Sequence, residues 1–275
     1  ILEKVKLKGI TQKELKQKIE NKAQAFISDK NPLELAFEIY SLLKQYSNVV
    51  EYFKTEKKHT NDLAQSFLSK ANCKENSTKD PLFQKIIYSI FGNIIDYGIA
   101  EQREKDFNEE FKKLDTYTFG INEYNDLLVD LKSAKQLVYL TDNSGEIIFD
   151  IHLIEYLKEN FPELDIKMVV RSSDILNDVT LSDIKDLGYD GEILESGSSF
   201  PGIMIEHVDK STIKLLREAD VVISKGQGNF EGLFNDKMAD YNIYFVFVVK
   251  CDIIAESLNV DKGSLMLIKQ RITND

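Results

Sequence analysis

Cysteine and histidine are scarce in this chain of 275 residues. Its two cysteines, Cys73 and Cys251, lie far apart and form no Cys-x-x-Cys motif. This argues against a disulfide framework and a zinc–thiolate site, and it leads us to expect a protein of the reducing cytoplasm. The three histidines, His59, His152 and His207, have no partner at ligand spacing. We therefore expect no histidine metal site.

Long apolar runs and excess positive charge are also missing. The longest apolar run, around Ile243–Val249, is too short for a membrane span and is typical of a buried strand. No signal peptide is visible, although a chain that begins at Ile1 without Met says little about its start. The formal charge of -11 would repel a polyanion. We expect neither a membrane nor a nucleic acid as partner, and an anionic substrate would need local positive charge.

The chain has two parts with different secondary-structure patterns. Residues 1–115 carry helical signals, including capping-box spacing at Thr11–Glu14 and an Asn31-Pro32 helix start. Residues 116–275 alternate short strands with helices, which predicts an α/β fold with a doubly wound, mostly parallel, Rossmann-like sheet. The predicted strands are Gln136–Leu140, Ile166–Val170, Glu192–Leu194, Val221–Ser224, Tyr244–Val249 and Leu265–Ile268. We expect a helical N-terminal subdomain beside an α/β domain that carries the functional site.

Acidic and amide side chains follow two of the predicted strands. Asp142 and Asn143 come directly after the first strand, and Asn177 and Asp178 follow the second, where Arg171 also lies. Carboxyl ends of parallel strands meet at one edge of a sheet, and hard oxygen ligands suit a divalent cation. A second interpretation stays open, since Asp142, Asn143 or Asp178 could simply cap the helices that follow.

Lysines and glycines follow the later strands. Lys225-Gly226-Gln227-Gly228-Asn229 combines a cation with two glycines that let backbone approach a ligand. This segment is neither a Walker A loop nor a complete GxGxxG, so a tight turn is the alternative. Lys250 ends the fifth strand and is either solvated at the sheet edge or held for an anion. A GxSxG elbow is absent, which argues against an α/β-hydrolase triad.

The motifs DNSGE, LNDVT and KGQGN, in this order and at these strand ends, resemble those of the DUF89 family of metal-dependent damage-control phosphatases, in its archaeal and bacterial branch. The segments NPLELAFEIYSLLK and DPLFQKIIYSIFGNIIDYG extend the resemblance over residues 30–268. The family's CPxC-like motif near the start is missing, and Ser173-Asp174 replaces a common Gly-Pro. The missing motif fits a truncated or divergent N-terminus, and the extra acid Asp174 bears on substrate identity more than on metal binding.

The resemblance implies roles for individual residues. Asp142, Asn143 and Asp178 would bind the metal, and Asp142, Asp178 and Lys225 would carry catalysis. The substrate would lie beside eight residues: Glu146, Asn177, Lys225, Gly226, Asn229, Lys250, Asn93 and Asp96. Helix packing is the alternative for Asn93 and Asp96.

The expected reaction is hydrolysis of small phosphomonoesters, such as sugar phosphates or damaged phosphometabolites, with Mg, Mn, Co or Ni as the cation. Asp142 would either position an attacking water or act as a nucleophile. Ser144 stands where DxD phosphatases carry their second acid. Two alternatives are an S-adenosylmethionine-dependent methyltransferase and a non-catalytic phosphometabolite-binding protein.

Overall fold

The computed structural model describes residues 1–26, 31–75, 79–92, 109, 117–234 and 241–270. These residues contain a sheet of seven strands in the order β1-β7-β6-β5-β2-β3-β4. Every neighbouring pair is parallel except β6 and β7, which are antiparallel. The strand bounds are β1 Phe119–Asn122, β2 Gln136–Leu140, β3 Asp165–Val170, β4 Glu192–Glu195, β5 Val221–Lys225, β6 Ile243–Val248 and β7 Leu265–Lys269. The predicted doubly wound, mostly parallel sheet is confirmed.

Helices cover both faces of this sheet. Their bounds within the described residues are α1 Gln12–Gln24, α2 Pro32–Tyr46, α3 Val49–Glu75, α4 Pro81–Phe91, α5 Tyr124–Ser133, α6 Glu146–Asn160, α7 Leu181–Asp186, α8 Lys210–Glu218, α9 Gln227–Leu233 and α10 Asp252–Leu258. Thr11 caps α1 through the predicted capping box, and Asn31 caps α2 by accepting from the Leu33 N–H. The local sequence patterns therefore predicted the starts of these two helices correctly.

Alternation along the strands divides the core into two clusters. Leu137 and Tyr139 of β2 join the cluster beneath α3 to α7, whereas Val138 and Leu140 join the cluster beneath α8, α9 and α10. Successive side chains of a strand point to opposite faces, so a central strand must be apolar throughout. The uninterrupted apolar run of β6 has this cause, since all six of its residues are buried.

The N-terminal helices pack directly on the sheet domain. Gly92, at the end of α4, lies so close to α6 that an added Cβ would be 2.7 Å from the Glu146 Cα. Ile175, in the loop after β3, is buried in a third cluster with residues of α1, α2 and α3. The predicted subdomain boundary after residue 115 lies outside the described residues and stays a prediction.

The structure adds elements that the sequence did not predict. These are β1 and the helices α5, α9 and α10. The polar segment 72–80 (NCKENSTKD) predicts a loop, but helix α3 continues through its first four residues to Glu75, so this prediction is wrong there. Among the described residues, no helix combines the length and apolarity needed to cross a bilayer.

Asp130 of α5 joins the amino-terminal end of β6 to the end of β7. Its Oδ2 accepts from the Tyr244 hydroxyl at 2.6 Å, the Asn242 amide at 2.9 Å and the Lys269 ammonium at 2.6 Å. These three hydrogen bonds lower the pKa of Asp130 although partial burial opposes them. The contact lies away from the carboxyl ends of the parallel strands, so it stabilises the fold without shaping that edge.

We expect Asp130→Asn to lower the free energy of unfolding by about 1–2 kcal/mol. The neutral amide cannot accept charge-assisted hydrogen bonds, and the loss is moderate because these bonds are partly open to solvent. A carboxyl with a lowered folded pKa stabilises above its ordinary pKa of 3.8 and loses that effect as pH falls. The difference should therefore shrink in acid. Urea unfolding across pH tests this, with Glu218→Gln in an exposed ion pair as control. Equal effects of both variants would contradict it.

Candidate active site

The strand order reverses between β2 and β5, and the candidate site lies at the carboxyl ends of these two strands. In an open parallel sheet this is where neighbouring connections leave on opposite faces and open a crevice. Asp142 follows β2, and Gly226 follows β5 with a φ of +81°. A Cβ on Gly226 would be 2.0 Å from the Asp142 Oδ2. Glycine is required here because the Asp142 carboxylate occupies that space.

Backbone pairing brings the two acidic segments together. Asn143 and Asp178 form an isolated antiparallel bridge. On either side of it, the Val179 N–H donates to the Asp142 carbonyl and the Ser144 N–H donates to the Asn177 carbonyl, both at 2.9 Å. The three residues predicted as metal ligands therefore share one edge. Asp142 and Asp178 are both buried.

The helix-capping interpretation of these residues is wrong. The N-cap of α6 is Gly145, whose N–H donates to the Asn61 Oδ1 at 2.6 Å, so Asp142 and Asn143 lie before the cap. Helix α7 starts at Thr180, whose N–H and hydroxyl both donate to the Asp183 carboxylate. Other residues are thus the N-caps of both helices, and the ligand role of Asp142, Asn143 and Asp178 stays a prediction.

A buried arginine lies between the two acids. The Arg171 Nε donates to the Asp178 Oδ2 at 2.8 Å, and its Nη2 is 4.0 Å from the Asp142 Oδ1. Burial raises the pKa of Asp178 to about 6, the Arg171 charge works against this shift, and the Asp142 carboxylate adds to it. One fixed positive charge thus faces two buried carboxylates, which leaves the edge negative.

Asn229 is fully buried and ties the surrounding segments together. Its Oδ1 accepts from the Arg171 Nη2 at 2.8 Å and from the Ile203 N–H at 3.0 Å. Its Nδ2 donates to the Thr141 carbonyl at 3.1 Å and the Lys225 carbonyl at 2.7 Å. With both donors and both acceptor positions in use, Asn229 holds the segments in place in this structure. Its predicted contact with substrate stays a prediction.

Lys225 lies in a second buried cluster. Its ammonium donates to the Glu146 Oε1 at 2.5 Å, the Asp150 Oδ1 at 2.8 Å and the Ser89 carbonyl at 3.0 Å. Burial raises the pKa of Glu146 to about 8 and also raises that of Asp150, although Lys225 lowers both. The two carboxylates raise the pKa of Lys225 despite its burial. The lysine therefore stays charged, and its three N–H bonds already have acceptors.

The remaining predicted substrate-binding residues differ in exposure. Lys250 is exposed just after β6, and its backbone N–H donates to the Gln227 Oε1 at 2.8 Å. Asn177 is half-buried in the segment that pairs with Ser144. Asn93 and Asp96 lie outside the described residues. Lys250 is thus the predicted phosphate-binding lysine that solvent can reach.

The donor chemistry at the edge fits a hard divalent cation. Asp142, Asp178 and Asn143 supply carboxylate and amide oxygens, the ligands that Mg²⁺ and Mn²⁺ prefer. The described residues contain no group of three or more His, Cys, Asp and Glu that could hold a metal ion, so the amide of Asn143 would have to complete the set. Two buried carboxylates with one guanidinium also leave negative charge for a cation to balance.

Some residues that shape the site were not predicted. Asp150 lies one turn after Glu146 on α6, a spacing that places both on one helix face and could have been noticed. Arg171 lies at a predicted strand end, but the sequence alone assigns it no role. Asn61 of α3 holds Gly145 from 84 residues away, and no local pattern signals such a contact.

We expect the thermal stability of the protein, freed of metal with a chelator, to fall as pH rises from 4.5 to about 8. These are the ordinary pKa of Glu146 and its pKa in the folded protein. A carboxyl with a raised folded pKa stabilises when protonated, and that effect is lost as it ionises. Thermal midpoints of wild type and Glu146→Gln across this range test the idea, since the amide variant should depend less on pH. Glu163→Gln, an exposed change, should follow wild type. Parallel profiles for wild type and Glu146→Gln would contradict it.

Comparisons with known proteins agree with this fold and identify the family of the chain. Residues 3–266 match the damage-control phosphatase ARMT1-like domain. A protein of Methanocaldococcus jannaschii described as uncharacterized is 34% identical over 247 residues, 84% of this chain and 78% of that protein. A damage-control phosphatase of Archaeoglobus fulgidus is 30% identical over 237 residues, 84% of this chain and 80% of that one. A damage-control phosphatase of Pyrococcus horikoshii is 32% identical over 185 residues, 66% and 63% of the two chains.

The solved structures include a close fold match. The crystal structure of a DUF89 family protein from Pyrococcus horikoshii superposes with a TM-score of 0.76 at 25% identity, covering 94% of this chain and 90% of that one. The sequence match and the structural match both span most of the chain. The chain therefore belongs to the damage-control phosphatase ARMT1-like family, also called DUF89.

Proposed function

We propose that this protein is a divalent-metal-dependent phosphatase that hydrolyses small phosphomonoesters, such as sugar phosphates or damaged phosphometabolites. The observation that carries the proposal is the pairing of Asn143 with Asp178, which gathers two buried carboxylates and an amide at the switch point of the sheet. The two archaeal relatives described as damage-control phosphatases support phosphatase chemistry.

Asp142, Asn143 and Asp178 would hold the cation. When bound, a divalent ion supplies Lewis-acid stabilisation of the charge on a phosphoryl oxygen. The need for a cation follows from electrostatics as well, since a phosphate dianion would otherwise approach two carboxylates in a chain of formal charge -11. Mg, Mn, Co and Ni are the candidate ions.

Lys250 is the residue we assign to first contact with the phosphate. It is exposed beyond the carboxyl end of β6, next to the β5 end that carries Gly226. Lys225 can contribute through its charge, but its three N–H bonds point to Glu146, Asp150 and Ser89. A phosphate contact with Lys225 would require one of these hydrogen bonds to be exchanged.

We assign the attack to water rather than to Asp142. The water oxygen bonds to phosphorus as the ester P–O bond breaks, and the alcohol leaves with a proton. The Asp142 Oδ2 accepts from the Asn143 amide at 2.5 Å, which holds this carboxylate in place. Ser144 also stands where a DxD phosphatase has its second carboxylate. Asp142 then acts as a ligand that helps to position the water.

Chelation with EDTA should abolish hydrolysis of p-nitrophenyl phosphate, and Mg, Mn, Co or Ni should restore it. Asp178→Asn should lower kcat roughly 100-fold or more, because the carboxylate charge that holds the cation is lost. Steady-state kinetics with several sugar phosphates measures both effects.

The matched control is Asp174→Asn, which changes a half-exposed carboxylate of the same loop that pairs with Lys57 at 3.6 Å. It should keep most of the wild-type kcat. Full activity of chelated wild type, or of Asp178→Asn, would refute the metal-dependent reaction.

The two lysines should respond differently to substitution by methionine. Lys250→Met should raise KM for a phosphomonoester roughly tenfold without a change in thermal midpoint, because an exposed cation is removed. Lys225→Met should lower the free energy of unfolding by about 3–5 kcal/mol, because it leaves two buried carboxyls without their cation. Kinetics and urea unfolding of both variants measure this. A stable Lys225→Met protein with only a raised KM would reverse the assignment.

A further inference from the structure

Arg171 is a buried group at the candidate site to which the proposed reaction assigns no role. It directly follows β3, and its side chain is almost completely buried. Its Nε donates to the Asp178 Oδ2 and its Nη2 to the Asn229 Oδ1, both at 2.8 Å. Its Nη1 has no hydrogen-bond partner within the described residues. Burial of a guanidinium is costly, so its position calls for an explanation.

The two hydrogen bonds of Arg171 reach different strand ends. Asp178 belongs to the segment after β3, whereas Asn229 follows β5 and donates to the Thr141 carbonyl after β2 and to the Lys225 carbonyl. Through Arg171 and Asn229, the segment that carries Asp178 is therefore linked to the segments that carry Asp142 and Gly226. A guanidinium can do this because its N–H groups are fixed in one plane.

The contact with Arg171 occupies one of the two carboxylate oxygens of Asp178. Its Oδ2 is engaged by Arg171, and its backbone is held by the bridge to Asn143. Ligands of metal sites are often oriented in this way by a neighbouring hydrogen bond, and loss of such a partner typically weakens metal affinity by roughly 10–100-fold. A lysine could preserve the charge, but it could not form both bonds in the same plane.

We propose that Arg171 is a positioning residue for the metal site: it holds the Asp178 Oδ2, leaves the other carboxylate oxygen for the cation, and keeps this orientation through Asn229. This inference rests on the proposed metal dependence. It differs from a role in which Arg171 only replaces the missing positive charge and is released when the cation binds.

The first test is Mn²⁺ affinity, measured by electron paramagnetic resonance of unbound Mn²⁺ without any substrate. Arg171→Lys should bind Mn²⁺ roughly 10–100-fold more weakly than wild type, although its charge is unchanged. Arg217→Lys, the same substitution at an exposed position of α8, should bind as wild type does. Arg171→Gln keeps one donor for Asp178 but loses the charge, and it replaces Arg171→Lys if that variant does not fold.

The second test uses the wild-type protein and so does not depend on variant folding. The chain has four arginines, Arg103, Arg171, Arg217 and Arg271, so the buried Nε–H of Arg171 should give a protected signal in ¹⁵N NMR. We expect this signal to shift but to remain protected when Mg²⁺ is added. Loss of protection on Mg²⁺ binding would overturn the proposal, because it would mean that the cation displaces Arg171.

The outcomes separate this inference from the proposed phosphatase function. Wild-type affinity for Mn²⁺ in a folded Arg171 variant overturns the positioning role and leaves phosphatase activity untouched. Metal binding by wild type without turnover of any phosphomonoester overturns the phosphatase and leaves the role of Arg171 standing. Absence of metal binding by wild type overturns both.

Discussion

Two buried carboxylates, Asp142 and Asp178, must occupy neighbouring positions at the centre of the sheet edge, and the site depends on how their charge is balanced. Opposite charges about 4 Å apart attract by about 4 kcal/mol at most in a partly solvated site, whereas burial costs several kcal/mol for each ion. Arg171, at 2.8 Å from Asp178 and 4.0 Å from Asp142, can offset only part of this cost. The pKa of Asp178 is raised for that reason, and a divalent cation would balance the remaining charge.

A second buried charge group, Lys225 with Glu146 and Asp150, lies beneath the same edge but has a different composition. There the ammonium is shared between two carboxylates, and one oxygen of each carboxylate has no partner among the described residues. Glu146 begins α6, so this cluster fixes the helix that follows the Asp142 segment to the end of β5. The Lys225 cluster thus holds the backbone of the site, and the Asp142–Asp178 cluster carries the oxygen atoms that we propose as metal ligands.

Local sequence predicted the elements better than it predicted their contacts. The strands β2 to β7 and the caps of α1 and α2 follow from apolar runs and capping residues, which act over a few residues. Helices α9 and α10 were missed because each has only seven residues, and α9 also begins in the KGQGN segment, for which a tight turn was the alternative. The choice between capping and ligation at Asp142 and Asp178 could not be made locally, since Asp, Asn and Ser suit both roles. Gly145 and Thr180 are the N-caps of the two helices and so exclude the capping role, whereas the ligand role stays a prediction.

The sequence by itself determined the fold class, the order of the strands along the chain and the residue types at their carboxyl ends, because periodicity and capping are local properties. Only the tertiary structure decided which of these ends meet, and it did so through the pairing of β2 with β5 and of Asn143 with Asp178. It also decided that Lys225 is enclosed while Lys250 is exposed, although both lysines lie at the carboxyl ends of apolar strands. Burial depends on the helices packed above each strand end, and those contacts join residues too far apart for a local pattern to record.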